Sequence, residues 1–383
     1  MMFPNILLKM QQFRIWLIIK IFRHLSIKSR KIVFFTPKLR QYNCNPKYLT
    51  EHLCKRNDLD IVWIFENVFE VREIVPLKVR IIKYFSIKYL YEIYTAKYII
   101  TNARIGKGML FEKRKDQIYI QLWHSSLRLK AIEKDAEETL PQSYIDQAIK
   151  DSSMCDYIIS GCDFSTNIFK NSFWYKGEIL NFGTPRIDFL INNDNYNEIK
   201  EKVCSYLKVP ISTHIILYAP TFRNDSSYNY MLTTSEEIIN AAKQKHGGEW
   251  ILLTRLHPNL ITRIKISDNK YDVTKYQDMQ ELLIASDILI TDYSSCMFDF
   301  AFIKKHCILY VPDLNSYLKN ERKLYFNLTD LPFNIANSED EIIQIIKNYN
   351  MDDYYSKLNL FFSNIGSYED GNACKRIESY FFN

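Results

Sequence analysis

Short runs of β-branched and aromatic residues recur along this chain, separated by stretches of helical spacing. They fall at Ile32–Phe35, Asp60–Phe65, Val79–Tyr84, Tyr98–Asn102, Gln117–Trp123, Tyr157–Ser160 and Ile179–Phe182. Four more follow at Ile215–Ala219, Trp250–Arg255, Asp287–Thr291 and Cys307–Val311. Helical spacing marks Ile199–Leu207, Ser235–Lys245 and Met279–Ser286. A strand buried on both faces needs no alternation, and a helix between two such strands implies a parallel, doubly wound sheet. At 383 residues the chain is long for one core, so two α/β domains are expected. The polar stretch Asn192–Asn197 sets the boundary, giving a first domain at 31–190 and a second at 191–383.

Charge is distributed unevenly. The net charge is +6, yet no Asp or Glu precedes Glu51 while Lys and Arg are frequent there. A one-signed segment of this kind suits an anionic surface. Residues 1–30 cannot span a bilayer, because the longest uninterrupted apolar run, Ile15–Ile19, is far short of roughly 20 residues. No small-residue cleavage site follows, which argues against a secretory signal. On a helical wheel Lys9, Gln12, Lys20 and Arg23 face away from Met10, Leu17, Ile18, Ile21, Phe22 and Leu25. Arg14 intrudes on the apolar arc, and Trp16 sits among the basic residues. Such a helix either lies in a membrane interface, on the cytoplasmic side, or packs on the domain's own surface. Eight scattered cysteines without a C-x-x-C pair fit a reducing compartment and no zinc site.

Ligands of doubly wound sheets bind beyond the carboxyl ends of strands, so the residues that follow each strand carry the chemistry. In QLWHSS (121–126), His124 ends a strand and has the ordinary pKa of a general base, with Arg128 and Lys130 close behind. In LYAPTFR (217–223), Thr221 offers a hydroxyl and Arg223 a forked cation for phosphate oxygens. In LLTRLHPN (252–259), Arg255 and His257 alternate and so share one side, as an anion site requires. In DILITDYSSCMFDFA (287–301), a strand stops at Asp292, and Ser294 or Ser295 opens a helix whose first N–H groups are free for phosphate. Asp299 follows one turn later, placed for sugar hydroxyls. For each motif an ordinary rim hydrogen bond, salt bridge or N-cap is the plainer alternative.

Taken in order, WHSS (123–126), GTPRID (183–188), APTFR (219–223), RLHP (255–258) and TDYSSCMFDF (291–300) resemble the CDP-glycerol glycerophosphotransferases of teichoic acid and capsule synthesis. The tail is similar too, through Tyr310, Asp313, Tyr317, Arg322 and YEDGNACKRI (368–377). The resemblance implies a GT-B-like pair of Rossmann-like domains facing a central cleft. It implies transfer of glycerol phosphate or ribitol phosphate from a CDP-alditol to a hydroxyl of a lipid-linked or polymeric glycan, with release of CMP. His124 would be the general base. His257, Arg255 and Arg223 would stabilise the pyrophosphate, and Thr221, Ser294 and Ser295 would cradle phosphates. Asp292 belongs to the donor set, Asp299 would hold the ribose, and Arg186, Asp188 and Lys130 would organise the cleft. No protein metal site is implied, and a Mg²⁺ ion accompanying the pyrophosphate is left open.

The chain departs from the family pattern at Ser125 and Ser126, where the family has Gly-Thr, and at Phe333, where Gly commonly follows the proline. Both changes point to a divergent member with an altered donor or acceptor fit. A nucleotide-sugar glycosyltransferase on the same architecture is the alternative enzyme, and a non-catalytic membrane-associated subunit the alternative of another class. No nucleic-acid reading motif accompanies the basic N-terminus.

Overall fold

A computed structural model describes residues 3–192, 196–223, 228, 231–257 and 271–383; residues 193–195 of the expected boundary and the Pro-Asn that follows His257 lie outside them. The first half begins with α1 (Phe3–Arg23), β1 (Lys28–Phe35), α2 (Cys44–Leu53), β2 (Asp60–Phe65) and β3 (Arg80–Lys83). It continues with α3 (Ile87–Thr95), β4 (Ala96–Thr101), β5 (Ile118–Gln121), α4 (Gln142–Met154) and β6 (Tyr157–Ile159). It closes with α5 (Asp163–Ser172), β7 (Glu178–Leu180) and α6 (Pro185–Ile191). These strands form one parallel sheet in the order β3-β2-β1-β4-β5-β6-β7.

The second half runs α7 (Tyr196–Leu207), β8 (His214–Ala219), α8 (Ser235–His246), β9 (Trp250–Thr254), α9 (Met279–Ala285) and β10 (Ile288–Thr291). Then come α10 (Cys296–Phe302), β11 (His306–Tyr310), α11 (Leu314–Asn320) and β12 (Asn334–Ala336). Three helices finish the chain: α12 (Glu339–Asn348), α13 (Met351–Asn364) and α14 (Ala373–Phe381). The second sheet is parallel, in the order β12-β11-β10-β8-β9. Both sheets reverse direction of growth next to their first strand, which opens a crevice at the carboxyl ends of β1 and β4 in one and of β8 and β10 in the other.

Strand alternation explains the layers. Ile32 and Phe34 join the core on one face of the first sheet, and Val33 and Phe35 join the core on the other. Ile216 and Tyr218 likewise oppose Ile215, Leu217 and Ala219 in the second. Each sheet is covered on both sides, as parallel strands require.

The last helix crosses back. Cys374, Ile377 and Phe381 of α14 complete the first-half core around Ile32 and Phe34, and Tyr98 donates a hydrogen bond to the Phe381 carbonyl at 2.6 Å. Polar contacts also bind the halves together. Asp278 caps α9 by accepting from the Gln280 N–H at 2.9 Å, while Lys47 and Tyr48 of α2 reach the same carboxylate at 2.5 and 2.8 Å.

Helix α1 packs one face on the first domain, as one reading of its sequence expects, and leaves another face exposed. Ile15, Ile18, Ile19 and Phe22 pack on the first core, with Phe22 edge-on to Tyr91. Phe13, Trp16, Leu17 and Ile21 remain exposed, and Lys20 sits over the Trp16 ring at 4.0 Å. Ile18 and Phe22, expected beside Leu17 and Ile21 on the free apolar arc, are instead the docked face. Among the described residues no helix is long and apolar enough to cross a membrane.

Candidate active site

β5 ends at Gln121, two residues sooner than expected, because the chain turns sharply there. Trp123 adopts a left-handed backbone, φ +49°, and its N–H is held by the Gln121 side chain at 3.0 Å. Such strain in a large residue persists only where surroundings enforce it, and here they do. Asn45 of α2 donates to the carbonyls of Leu122 and Trp123 at 3.2 and 3.0 Å, and its own side-chain oxygen takes the Arg186 N–H at 3.0 Å. The turn lays His124 parallel to Trp123, ring centroids 4.4 Å apart.

His124 keeps solvent-exposed surface, yet it lies deep in a crevice crowded by protein atoms. Burial, then the cations of Arg186, Arg128 and Arg104, lower its pKa to about 3, against a weaker upward pull from the Asn102 backbone. The imidazole is therefore neutral at physiological pH. A neutral imidazole keeps one ring nitrogen without a proton, and that nitrogen can accept one.

Cations line the same wall. Arg128 is buried, lies 4.5 Å over the Phe169 ring and donates to the Ser125 carbonyl at 3.2 Å, while its Nε and Nη1 have no hydrogen-bond partner. Burial lowers its pKa to about 10. Lys130 is pulled down to about 8, again first by burial, with Asp292 of the second half its chief opposing charge. Lys130 also forms a strand-like bridge with Leu324, so this segment of the first half lies against the second.

On the second sheet, Thr221 and Asp292 end adjacent strands at the reversal point. The Asp292 carboxylate takes the Thr221 N–H at 2.9 Å and Arg223 Nη2 at 2.8 Å. Arg223 also pairs with Asp313 at 2.8 Å and lies within 4.9 Å of the Tyr293 and Tyr317 rings. Expected to grip phosphate, Arg223 is instead fully engaged as a brace, because two carboxylates on neighbouring loops neutralise it. The Thr221 hydroxyl is buried without a hydrogen-bond partner.

Arg255 carries a guanidinium with Nη1 buried and unpartnered; burial lowers its pKa, and Asp278 is the leading opposing charge. His257 is exposed beside Phe222, centroids 6.0 Å apart. Ser294 and Ser295 stand half-buried before α10. That helix is only seven residues long, and the Ser295 side chain caps nothing.

Two further placements differ from expectation in kind. Asp299 does not face open space for a sugar: it is buried, paired with Arg186 Nη2 at 2.6 Å and bonded by Gln280 at 3.2 Å. Asp188 accepts from the Ala373 and Cys374 N–H groups at 3.0 and 2.7 Å, so it anchors the start of α14 rather than lining the cleft. Asn45, Cys44 and Arg104 were not singled out in the sequence. Arg104 lies 5.7 Å over Trp123 and pairs with Glu133 and Asp151. Nothing local marks these residues, since only the fold brings α2 and the β4 loop beside His124.

Two Rossmann-like domains, with a neutral histidine beyond one sheet and incompletely paired guanidinium groups beyond both, define a GT-B-like fold with a site suited to an anionic substrate. Residues 17–383 match the family described as CDP-Glycerol:Poly(glycerophosphate) glycerophosphotransferase, and the chain belongs to that family. It is similar to the teichoic acid poly(glycerol phosphate) polymerase of Bacillus spizizenii, 30% identical over 97% of this chain and 98% of that one. It is similar also to the teichoic acid glycerol-phosphate transferase of Staphylococcus aureus, 31% identical over 98% of both. It spans about half of the polymerase of Bacillus subtilis strain 168, at 29% identity over 94% of this chain. Among solved structures, the wall teichoic acid polymerase TagF superposes with a TM-score of 0.82 at 27% identity, covering 99% of this chain and 94% of that one. A TagF variant soaked with CDPG matches at 0.79 and 28% identity, covering 93% and 89%. The UDP-GlcNAc 2-epimerase of Neisseria meningitidis, at 12% identity and TM-score 0.51 over 91% and 98%, shares the fold alone.

Proposed function

We propose that this enzyme transfers glycerol phosphate or ribitol phosphate from its CDP-linked form to a hydroxyl of a lipid-linked or polymeric glycan. In this reading His124 removes the proton of the acceptor hydroxyl. The freed oxygen attacks the phosphorus that carries the alditol, a new P–O bond forms, and the bond to CMP breaks with its electron pair leaving on CMP. Arg255 and His257 meet the charge that grows on the leaving group, and Thr221 with Ser294 and Ser295 holds phosphate oxygens. Such transfer is mostly positioning and charge stabilisation, which prearranged cations supply.

The observation that carries this reading is the exposed His124 ring at the carboxyl end of β5, stacked on Trp123, with Arg186, Arg128 and Arg104 the charges that act on it. Cations that repel a proton from the imidazole also attract a pyrophosphate, so the base and its substrate are matched. CMP release from CDP-glycerol and CDP-ribitol, set against nucleotide release from UDP- and GDP-sugars, tests it. Turnover of CDP-alditols by the wild type, abolished in His124→Ala with CDP binding retained, is expected; turnover of nucleotide sugars alone would overturn it.

The same reading puts the protein on the cytoplasmic face of the membrane. Support comes from the exposed Phe13, Trp16, Leu17 and Ile21 of a helix that is otherwise docked, within a segment lacking acidic residues.

A further inference from the structure

The tail segment between α13 and α14 was singled out by its motif, but the transfer chemistry gives it no task. In the fold it runs beside the loop after β6. The Asp163 N–H donates to the Gly366 carbonyl at 2.9 Å, Phe164 to Ile365 at 3.2 Å, and Tyr368 to Gly161 at 2.8 Å. A strand-like bridge joins Cys162 to Ser367 between them. The chain therefore enters from the second half already zipped to the first.

At the end of this zipper Glu369 turns inward. Its carboxyl accepts from the Thr184 N–H at 2.9 Å and from the Thr184 hydroxyl at 2.8 Å, and its Oε1 and Ser126 Oγ both crowd the space beside the Gly161 Cα. Ser126 lies two residues beyond His124, and its carbonyl is held by Ser165 Oγ at 2.5 Å and Cys162 Sγ at 3.5 Å. Thr184 lies two residues before Arg186, the cation that ranks first among those acting on His124. One carboxyl thus touches both segments that build the base and its electrostatic surroundings. The room for it is made by two glycines. A Cβ on Gly161 would collide with Ser126 Oγ and Glu369 Oε1, and one on Gly183 would come within 2.8 Å of Glu369 Oε2 at a φ of +83°.

We propose that Glu369 is a positioning residue for the transfer reaction: through Ser126 and Thr184 it sets the His124 turn against the Arg186 turn, and its place on the tail ties that setting to the second domain. The proposal rests on the reading of His124 as the base. It also accounts for a hydroxyl at Ser126, where Thr stands in the family pattern, because the carboxyl needs a donor there and not a particular side-chain shape.

The test compares Glu369→Ala, Glu369→Gln, Ser126→Ala and the double variant Ser126→Ala/Glu369→Ala in the full chain. Expected for Glu369→Ala is a kcat lowered about 10- to 100-fold, the scale of a base misplaced by an ångström, with KM for the CDP-alditol changed less than about twofold. Gln, which keeps an acceptor for Thr184, should restore most of kcat. The double variant should be hardly slower than Glu369→Ala, since the two residues act through one contact. Amide hydrogen exchange at residues 122–128 should speed up in Glu369→Ala while α8 and β9 keep their protection. An unchanged kcat, additive losses, or unaltered exchange in 122–128 would each overturn the proposal. The exchange experiment needs no substrate: if the wild type turns over no CDP-alditol, the proposed function fails, whereas the tie between Glu369 and the His124 turn is still judged by exchange alone.

Discussion

Arg186 of α6 and Asp299 of α10 form a buried ion pair of 2.6 Å that crosses from one Rossmann-like domain to the other. The same guanidinium lowers the proton affinity of His124, so the bond that joins the domains also conditions the base. A crevice between two sheets would otherwise be free to open without consequence for either wall.

Breaking that pair should be costly and mending it cheap. Arg186→Ala leaves Asp299 buried with only Gln280 and should destabilise the protein by about 3–5 kcal/mol, and Asp299→Ala should do likewise. The apolar double variant Arg186→Met/Asp299→Leu should recover much of the loss. Urea unfolding midpoints check this; a double variant as unstable as the sum of the singles would mean the pair was not the partner that mattered.

Activity should show no acid limb near the ordinary histidine pKa. Burial and cations disfavour the imidazolium, so the folded pKa, about 3, lies below the unfolded 6.5. The native state then binds fewer protons between those values, and stability from this group is present above pH 6.5 and lost as pH falls toward 3. In kcat/KM, which reports the free enzyme, the acid limb should fall below about pH 5. In kcat it should rise, because a bound pyrophosphate offsets the arginines. Arg186→Met should raise the kcat/KM limb as well. A kcat/KM limb fixed near 6.5 in wild type and variant alike would refute the assignment.

The free face of α1 should govern membrane binding and the docked face should govern stability. Replacing Trp16, Leu17 and Ile21 together by Ser should lower partitioning onto anionic vesicles at least about tenfold, since each lost burial is worth about 1.5–3 kcal/mol. Turnover of a water-soluble acceptor analogue should be unaffected. Ile18→Ser and Phe22→Ser should instead lower Tm. Cosedimentation and thermal unfolding separate the two, and equal partitioning by the triple variant would assign α1 to packing alone.

Glu369 should leave a mark on the pH dependence of stability. Burial is the leading cause that raises its pKa to about 8, against bonds from Thr184 and Ser126 that lower it. The folded value exceeds the unfolded one, so stability from this group is full below about pH 4.5 and is lost as pH rises through 8. Glu369→Gln removes the proton and should flatten the decline in Tm across that window. Parallel Tm-against-pH curves for the two proteins would contradict the burial.

The sequence alone determined two parallel sheets, because strand runs buried on both faces repeat with helical spacers and leave their mark in residue type. It also put His124, Thr221, Arg255, His257, Ser294 and Ser295 where strands end, since that position follows from the run itself. It could not say which charges would find one another. Asp299 looked free for a sugar until α6 brought Arg186 against it, and Arg223 looked free for phosphate until Asp313, ninety residues on, closed over it. Strand β12 holds only Ile335 as a β-branched residue, so no run marks it, and α14 returns to the first core because Asp188 and a patch around Ile32 await it. Hydrophobic periodicity is written locally, residue by residue; the partner of a buried charge is fixed only when distant segments are packed together and an unpaired charge would be too costly to leave.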